Sequence, residues 1–174
     1  MRINPEKNQN IVLIGMPCAG KSTVGALLAK RLQRKLVDTD QLIEKVEGKD
    51  LQTIVDIRGY GYLREAEERE LLNMKGRSQV IATGGSAVYS KYAMRHLRAT
   101  SNIIYLAIKE ATMVQRLIKD GLSNRGLAKP EEQSVHAMFA EREWLYQMCS
   151  EVTINCDDKS PEAICDEICA LFEL

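Results

Sequence analysis

Short apolar runs alternate along the chain with longer segments whose apolar side chains return every three or four positions. The runs are Ile11–Ile14, Leu36–Val37, Val80–Ala82, Ile103–Ile108 and Val152–Asn155, and they read as five buried strands. Helical spacing covers segments near residues 21–33, 40–47, 64–75, 89–98, 110–119 and 131–148. A last helix is punctuated by Ser160 as N-cap and Pro161 at its first position, with Ile164, Ile168, Leu171 and Phe172 following on one face. Strand and helix in alternation predict an α/β fold of three layers, a five-stranded parallel sheet with helices on both faces.

The 174 residues suit one domain, 1–174, large enough to bury a core without disulfide or metal staples. Its 24 basic and 24 acidic side chains cancel. That balance argues against nucleic-acid or membrane partners and makes any phosphate recognition local. The first ten residues hold no apolar signal core, and no stretch approaches the roughly 18 apolar residues that span a bilayer, so a cytoplasmic protein is expected. Nothing in the pattern calls for a second copy, and a monomer is expected. Cys18, Cys149, Cys156, Cys165 and Cys169 are odd in number and contain no C-x-x-C pair, which suits reduced, packed thiols. Residues 119–130, with two glycines and four charged side chains, form the one long irregular stretch. Such a segment is expected to act as a mobile lid that closes over ligands.

Candidate chemistry starts at Gly15-x-x-x-x-Gly20-Lys21-Ser22, between the first strand and the first helix. This is the phosphate-binding loop pattern in its required context. Glycines let successive N–H groups converge on phosphate oxygens, and the helix that follows adds its positive end. Lys21 can reach the β- and γ-phosphates of a nucleotide, and Ser22 offers a hydroxyl to Mg²⁺. The loop names the phosphate but leaves the reaction open among hydrolase, motor, kinase and sensor.

Asp38 and Asp40 follow the second strand, at the sheet edge that faces the ligand crevice. One carboxylate there can hold a metal-bound water and the other can orient an acceptor hydroxyl and take its proton; either can instead cap the next helix. Thr83-Gly84-Gly85-Ser86 makes a second glycine turn at the same edge, either for close approach to a ligand or only for a tight turn. Arg64 and Arg142 lie on helices, where solvated ion pairs are the ordinary reading, and Arg125 in the irregular segment can close over transferred phosphate.

Taken in order, G-M-P-C-A-G-K-S-T, D-T-D, L-R-E-A-E, G-G-S, an arginine in residues 119–130 and E-R-x-x-L-Y resemble the shikimate kinase family over nearly the whole chain. The resemblance implies a phosphate-loop kinase fold like that of nucleoside monophosphate kinases, with ATP and Mg²⁺ as cofactors and shikimate as acceptor. It implies that Gly15, Cys18, Ala19, Gly20, Lys21, Ser22 and Thr23 hold the nucleotide, with Arg116 near adenine. Asp38 and Ser22 would serve the metal, Lys21, Asp40 and the lid residue Arg125 the transfer step. Asp40, Arg64, Gly84, Gly85 and Arg142 would bind the acceptor, the two arginines gripping its carboxylate. Ser86 stands where the family usually has a third glycine, and Gly126 follows the lid arginine in place of proline. Leu63 and Arg58 replace phenylalanines, Trp144 replaces a proline, and the stretch Ile57–Tyr62 is shorter than usual. These wall changes leave two alternatives to shikimate kinase: a kinase for another small hydroxylated carboxylic acid, or a nucleotide-binding regulatory domain without transfer chemistry.

Overall fold

The computed structural model describes residues 9–119, 129–130 and 132–172. The expected lid, Arg125 and Gly126 therefore lie outside the described residues, apart from the ends of the segment. Chain order is β1 (Asn10–Ile14), α1 (Lys21–Leu32), β2 (Lys35–Asp38), α2 (Thr39–Glu47), α3 (Leu51–Leu72) and β3 (Gln79–Ala82). A 3₁₀ turn (Ala87–Tyr89) leads to α4 (Lys91–Arg98), β4 (Ser101–Ala107), α5 (Glu110–Lys119), α6 (Val135–Cys149), β5 (Val152–Asn155) and α7 (Pro161–Phe172).

All five strands run parallel, in the order β2-β3-β1-β4-β5. The central strand β1 is buried at every position, pairing Ile11 with Val80 on one side and Val12 with Ile103 on the other. An unbroken apolar run is what a parallel strand covered on both faces requires. The crossover from β1 through α1 to β2 travels toward one edge of the sheet, whereas those from β2 to β3, β3 to β4 and β4 to β5 travel the opposite way. Right-handed crossovers therefore put α1 on one face and the intervening helices on the other. Accordingly α1 packs beside α7 and α3 beside α4.

Several element boundaries differ from expectation. The third helix begins at Leu51, thirteen positions before Arg64, and bends at Gly59 (φ 81°, ψ 164°), so Arg64 lies in its second half and does not open it. Helix α2 begins at Thr39, because the Asp38 carboxylate accepts from the N–H groups of Asp40 and Gln41 and draws the first turn back to the strand. The expected helix at 89–98 splits, since Tyr89 closes the 3₁₀ turn and Ser90 caps α4. Ser134 caps α6 and sets its start at Val135. No helix among the described residues is long and apolar enough to cross a membrane. None of the five cysteines forms a disulfide among these residues.

Candidate active site

The carboxyl ends of β1, β2 and β3 meet at one edge of the sheet, and the turns that leave them carry the site. After β1, Gly15 passes so close to β4 that a Cβ would lie 2.6 Å from the Leu106 carbonyl oxygen. Cys18 takes up a left-handed conformation (φ 59°), Ala19 is buried, and the Ala19 N–H closes the loop onto the Met16 carbonyl at 3.2 Å. Gly20, also left-handed (φ 92°), is the N-cap of α1 and supplies no side chain. No acidic residue stands in the first turn of α1, whereas Asp38, Asp50, Ser90 and Ser134 cap α2, α3, α4 and α6. The positive end of α1 is thus left for an external anion.

Lys21 is buried at the head of α1 and donates to the carbonyls of Gly15 and Met16 at 2.9 and 2.7 Å. Burial lowers its pKa, and the carboxylates of Asp40 and Glu67 oppose that shift. Ser22 and Thr23 are exposed beside it. Arg116 reaches back from α5 to donate to the Cys18 carbonyl at 2.9 Å.

Opposite this loop stands an acid-and-arginine pocket. Gly84 owes its lack of a Cβ to two carboxylates: a Cβ there would sit 2.6 Å from Asp40 Oδ1 and collide with Glu67 Oε1. Its N–H donates to Thr39 Oγ1 at 2.8 Å, which ties the glycine turn to α2. At Gly85 a Cβ would come within 3.1 Å of Pro17 in the phosphate loop and 3.2 Å of Arg142 Nη1, so this one residue joins the two halves of the site. The Gly85 carbonyl accepts from the Tyr146 hydroxyl at 2.6 Å, and the Tyr146 ring stacks on Tyr105 with centroids 5.0 Å apart.

Two carboxyls so close, Glu67 buried and Asp40 half-buried, cannot both ionise cheaply. Burial raises the pKa of Asp40, Lys21 pulls it back, and Asp38 and Glu44 push it up again. The Glu67 carboxyl is pushed up to about 7, by burial first and then by Asp40. Ser86 Oγ donates to Glu67 Oε2 at 2.5 Å, whereas Oε1 has no hydrogen-bond partner among the described residues. The hydroxyl that Ser86 adds is therefore absorbed by Glu67.

Arg142 is fully buried on α6, on the same stripe as Met138, Phe139 and Tyr146. Arg64 points from α3 to the ring of Tyr89, with 3.7 Å between its guanidinium carbon and the ring centroid. Its Nε is buried without a hydrogen-bond partner among the described residues. The structure thus gathers Lys21, Asp38, Asp40, Arg64, Gly84, Gly85 and Arg142 at one edge, with Arg116 on the phosphate loop. Leu63 and Arg58 contribute elsewhere: Leu63 packs in a small core between α2 and α3, and Arg58 lies over the Tyr62 ring near Glu47. Trp144 is 61% exposed.

Sequence reasoning singles out none of Glu67, Thr39, Tyr89 and Tyr146 as a site residue. One signal for Glu67 is legible: an acid spaced four residues from both Leu63 and Leu71 lies on the apolar stripe of its helix. The tyrosine and threonine contacts join residues 45 to 61 positions apart and leave no local trace.

A phosphate loop at the first turn of a parallel 2-3-1-4-5 sheet, with an acid-and-arginine pocket across the same edge, defines a phosphate-loop kinase. Comparison with known proteins narrows the class. The shikimate kinase family model matches residues 17–173, and the chain belongs to that family. Shikimate kinases of Sulfurihydrogenibium sp. and Clostridium botulinum are 34% and 36% identical to it, over 92% and 90% of this chain and 95% and 92% of theirs. The structure of the Acinetobacter baumannii shikimate kinase in complex with shikimate superposes with a TM-score of 0.82 at 30% identity, covering 94% of this chain and 92% of that one. Deoxyadenosine kinase from M. mycoides, 15% identical with a TM-score of 0.57, shares the fold alone.

Proposed function

We infer that this chain transfers the γ-phosphoryl group of ATP to the 3-hydroxyl of shikimate, giving shikimate 3-phosphate and ADP. Family membership supports the reaction class, and the relative solved with shikimate supports the acceptor. The observation that carries the reading is the meeting at Gly85 of Pro17, from a loop whose helix end has no side-chain cap, with buried Arg142.

Each group has a part. The N–H groups of the loop and the first turn of α1, with Ser22 and Thr23, hold the phosphates. Lys21 swings from its carbonyl partners to offset charge on the group in transit. Asp40 takes the proton of the acceptor hydroxyl, and burial, by raising its pKa, makes its carboxylate a stronger base. Arg64 and Arg142 bind the acceptor carboxylate through their planar forks. Arg116, which donates to the Cys18 carbonyl, is assigned to the adenine side, and Arg125, which lies outside the described residues, to the transferred group.

Magnesium, when bound, offsets phosphate charge, and the donors present fit it. Ser22 and Asp38 offer hard oxygens, and no group of three or more His, Cys, Asp or Glu among the described residues forms a protein cage. A cation held chiefly by phosphates and water asks for no more.

Coupled ADP release with shikimate, and detection of the phosphorylated acid, test the reading. Asp40→Asn is expected to lower kcat by about a hundredfold or more while the ATP affinity stays within about twofold. A wild-type enzyme that consumes ATP faster with another hydroxy acid than with shikimate overturns the acceptor. No phosphorylated product from any acceptor leaves a nucleotide-binding domain.

A further inference from the structure

We propose that Tyr89 is a positioning residue for acceptor recognition, its ring serving as the platform on which the Arg64 guanidinium stacks and against which that of Arg142 is set. This rests on the reading that the two arginines bind the acceptor's carboxylate. Three observations carry it.

Geometry comes first. The Arg64 guanidinium carbon lies 3.7 Å above the Tyr89 ring centroid and that of Arg142 lies 5.4 Å away, so one ring faces both cations. Arg142 Nε also donates to the Tyr89 hydroxyl at 3.4 Å. Tyr60, one helical turn before Arg64 on α3, flanks the same guanidinium at 5.1 Å. A ring face attracts a cation without occupying its N–H groups, so a stacked guanidinium keeps its in-plane donors for a carboxylate.

Anchoring comes second. Ala87 and Val88 are buried, the Tyr89 N–H donates to the Ser86 carbonyl at 3.0 Å, and the next residue, Ser90, caps α4. The backbone that carries the ring is pinned on both sides in sequence, by the glycine turn that meets the phosphate loop and by a helix start.

Electrostatics comes third. Two guanidinium groups directed at one anion repel each other when that anion is absent, and Arg64 Nε is buried without a hydrogen-bond partner among the described residues. A ring with electron density on its face is a neutral group that can lie beside both cations. It keeps the forks apart and aimed until a carboxylate arrives, which reduces what ordering them costs on binding.

The test compares wild type with Tyr89→Leu and Tyr89→Phe, using shikimate and its neutral carboxamide as acceptors. Tyr89→Leu is expected to raise the KM for shikimate about tenfold, in line with a desolvated cation–π contact, with the KM for ATP shifted less than about twofold. Discrimination between acid and amide should fall by the same factor, a change that mere loosening of the fold does not produce. Tyr89→Phe keeps the ring and is expected to stay within about twofold of wild type on both acceptors. In the unliganded proteins, NMR should show the Arg64 side-chain protons shielded by the ring in wild type and Tyr89→Phe, and unshielded in Tyr89→Leu.

Unchanged acid-against-amide discrimination in Tyr89→Leu overturns the proposal, as does an unshielded Arg64 in the wild type. Failure of the wild type to phosphorylate shikimate overturns the functional reading and the acceptor half of this proposal with it. The shielding experiment still decides the stacking, because it needs no acceptor.

Discussion

Glu67 holds its proton into the neutral range because its carboxyl is buried and Asp40 lies beside it. The unfolded chain gives up that proton near the ordinary glutamate value of 4.5, whereas the folded chain keeps it to about 7. Between those values the native state binds more protons than the unfolded one, so stability falls as pH rises through the window and then levels off. The size is about 3 kcal/mol, the separation of 4.5 from about 7 at roughly 1.4 kcal/mol per tenfold change in proton affinity. Glu67→Gln keeps the shape without the ionisation. Urea unfolding between about pH 5 and pH 8 should show wild type losing stability relative to the variant as pH rises, and parallel profiles would sink the assignment. At this scale the sequence shows which residues carry charge but only partly where they go. Lys21 was legible because motif and strand–helix context fix its place. The pairing of Glu67 with Ser86 and Asp40 was not, since it depends on how α3 lies over the glycine turn.

Element boundaries follow the same division. Strands β1, β3 and β4 were legible because a parallel strand covered on both faces leaves an unbroken apolar run. The first half of α3 was not, because Leu51, Ile54 and Val55 make a short pattern that Gly59 and Gly61 interrupt. The structure shows why the interruption matters: Gly59 at φ 81° and ψ 164° occupies a region that is open essentially to glycine alone. The helix restarts after it, so that Tyr60 and Arg64, four residues apart, share one face. Among the described residues nothing beyond its own stretch of helix lies within 4 Å of a Cβ added at Gly59, so Gly59→Ala meets backbone strain and no clash with the rest of the fold. It is expected to cost about 1–3 kcal/mol in urea unfolding. Because relief of that strain turns the second half of the helix, the acceptor KM should rise as well. A variant as stable as wild type would mean that the bend is not held by this residue.

Two apolar clusters of unequal size divide the molecule. The larger one threads the sheet and the helices on both of its faces, with β1 and most of β4 at its centre. The smaller consists of Ile43, Ile54, Leu63 and Ala66, with Leu51, Val55 and Tyr62 partly buried against it, and it holds α2 to α3. Nearby, Val46 and Ile57 remain 54% and 64% exposed. Local opening costs least where few apolar contacts are lost, so α2 and the first half of α3 should open well before the sheet. Asp40 stands on α2 in this weaker unit and Arg64 lies on α3 between Leu63 and Ala66 of the smaller cluster, while Lys21 and Arg142 sit against the larger cluster. The acceptor pocket thus spans a firm half and a soft half, and a ligand held by both makes the soft half costlier to open. Hydrogen exchange read by mass spectrometry should find the amides of Leu51–Arg58 exchanging faster than those of Ile11–Ile14 and Ile103–Leu106. Shikimate with ADP should slow the first group markedly and leave the sheet almost unchanged. Uniform exchange across both groups, or protection confined to the phosphate loop, would show that the acceptor does not bind across the two clusters.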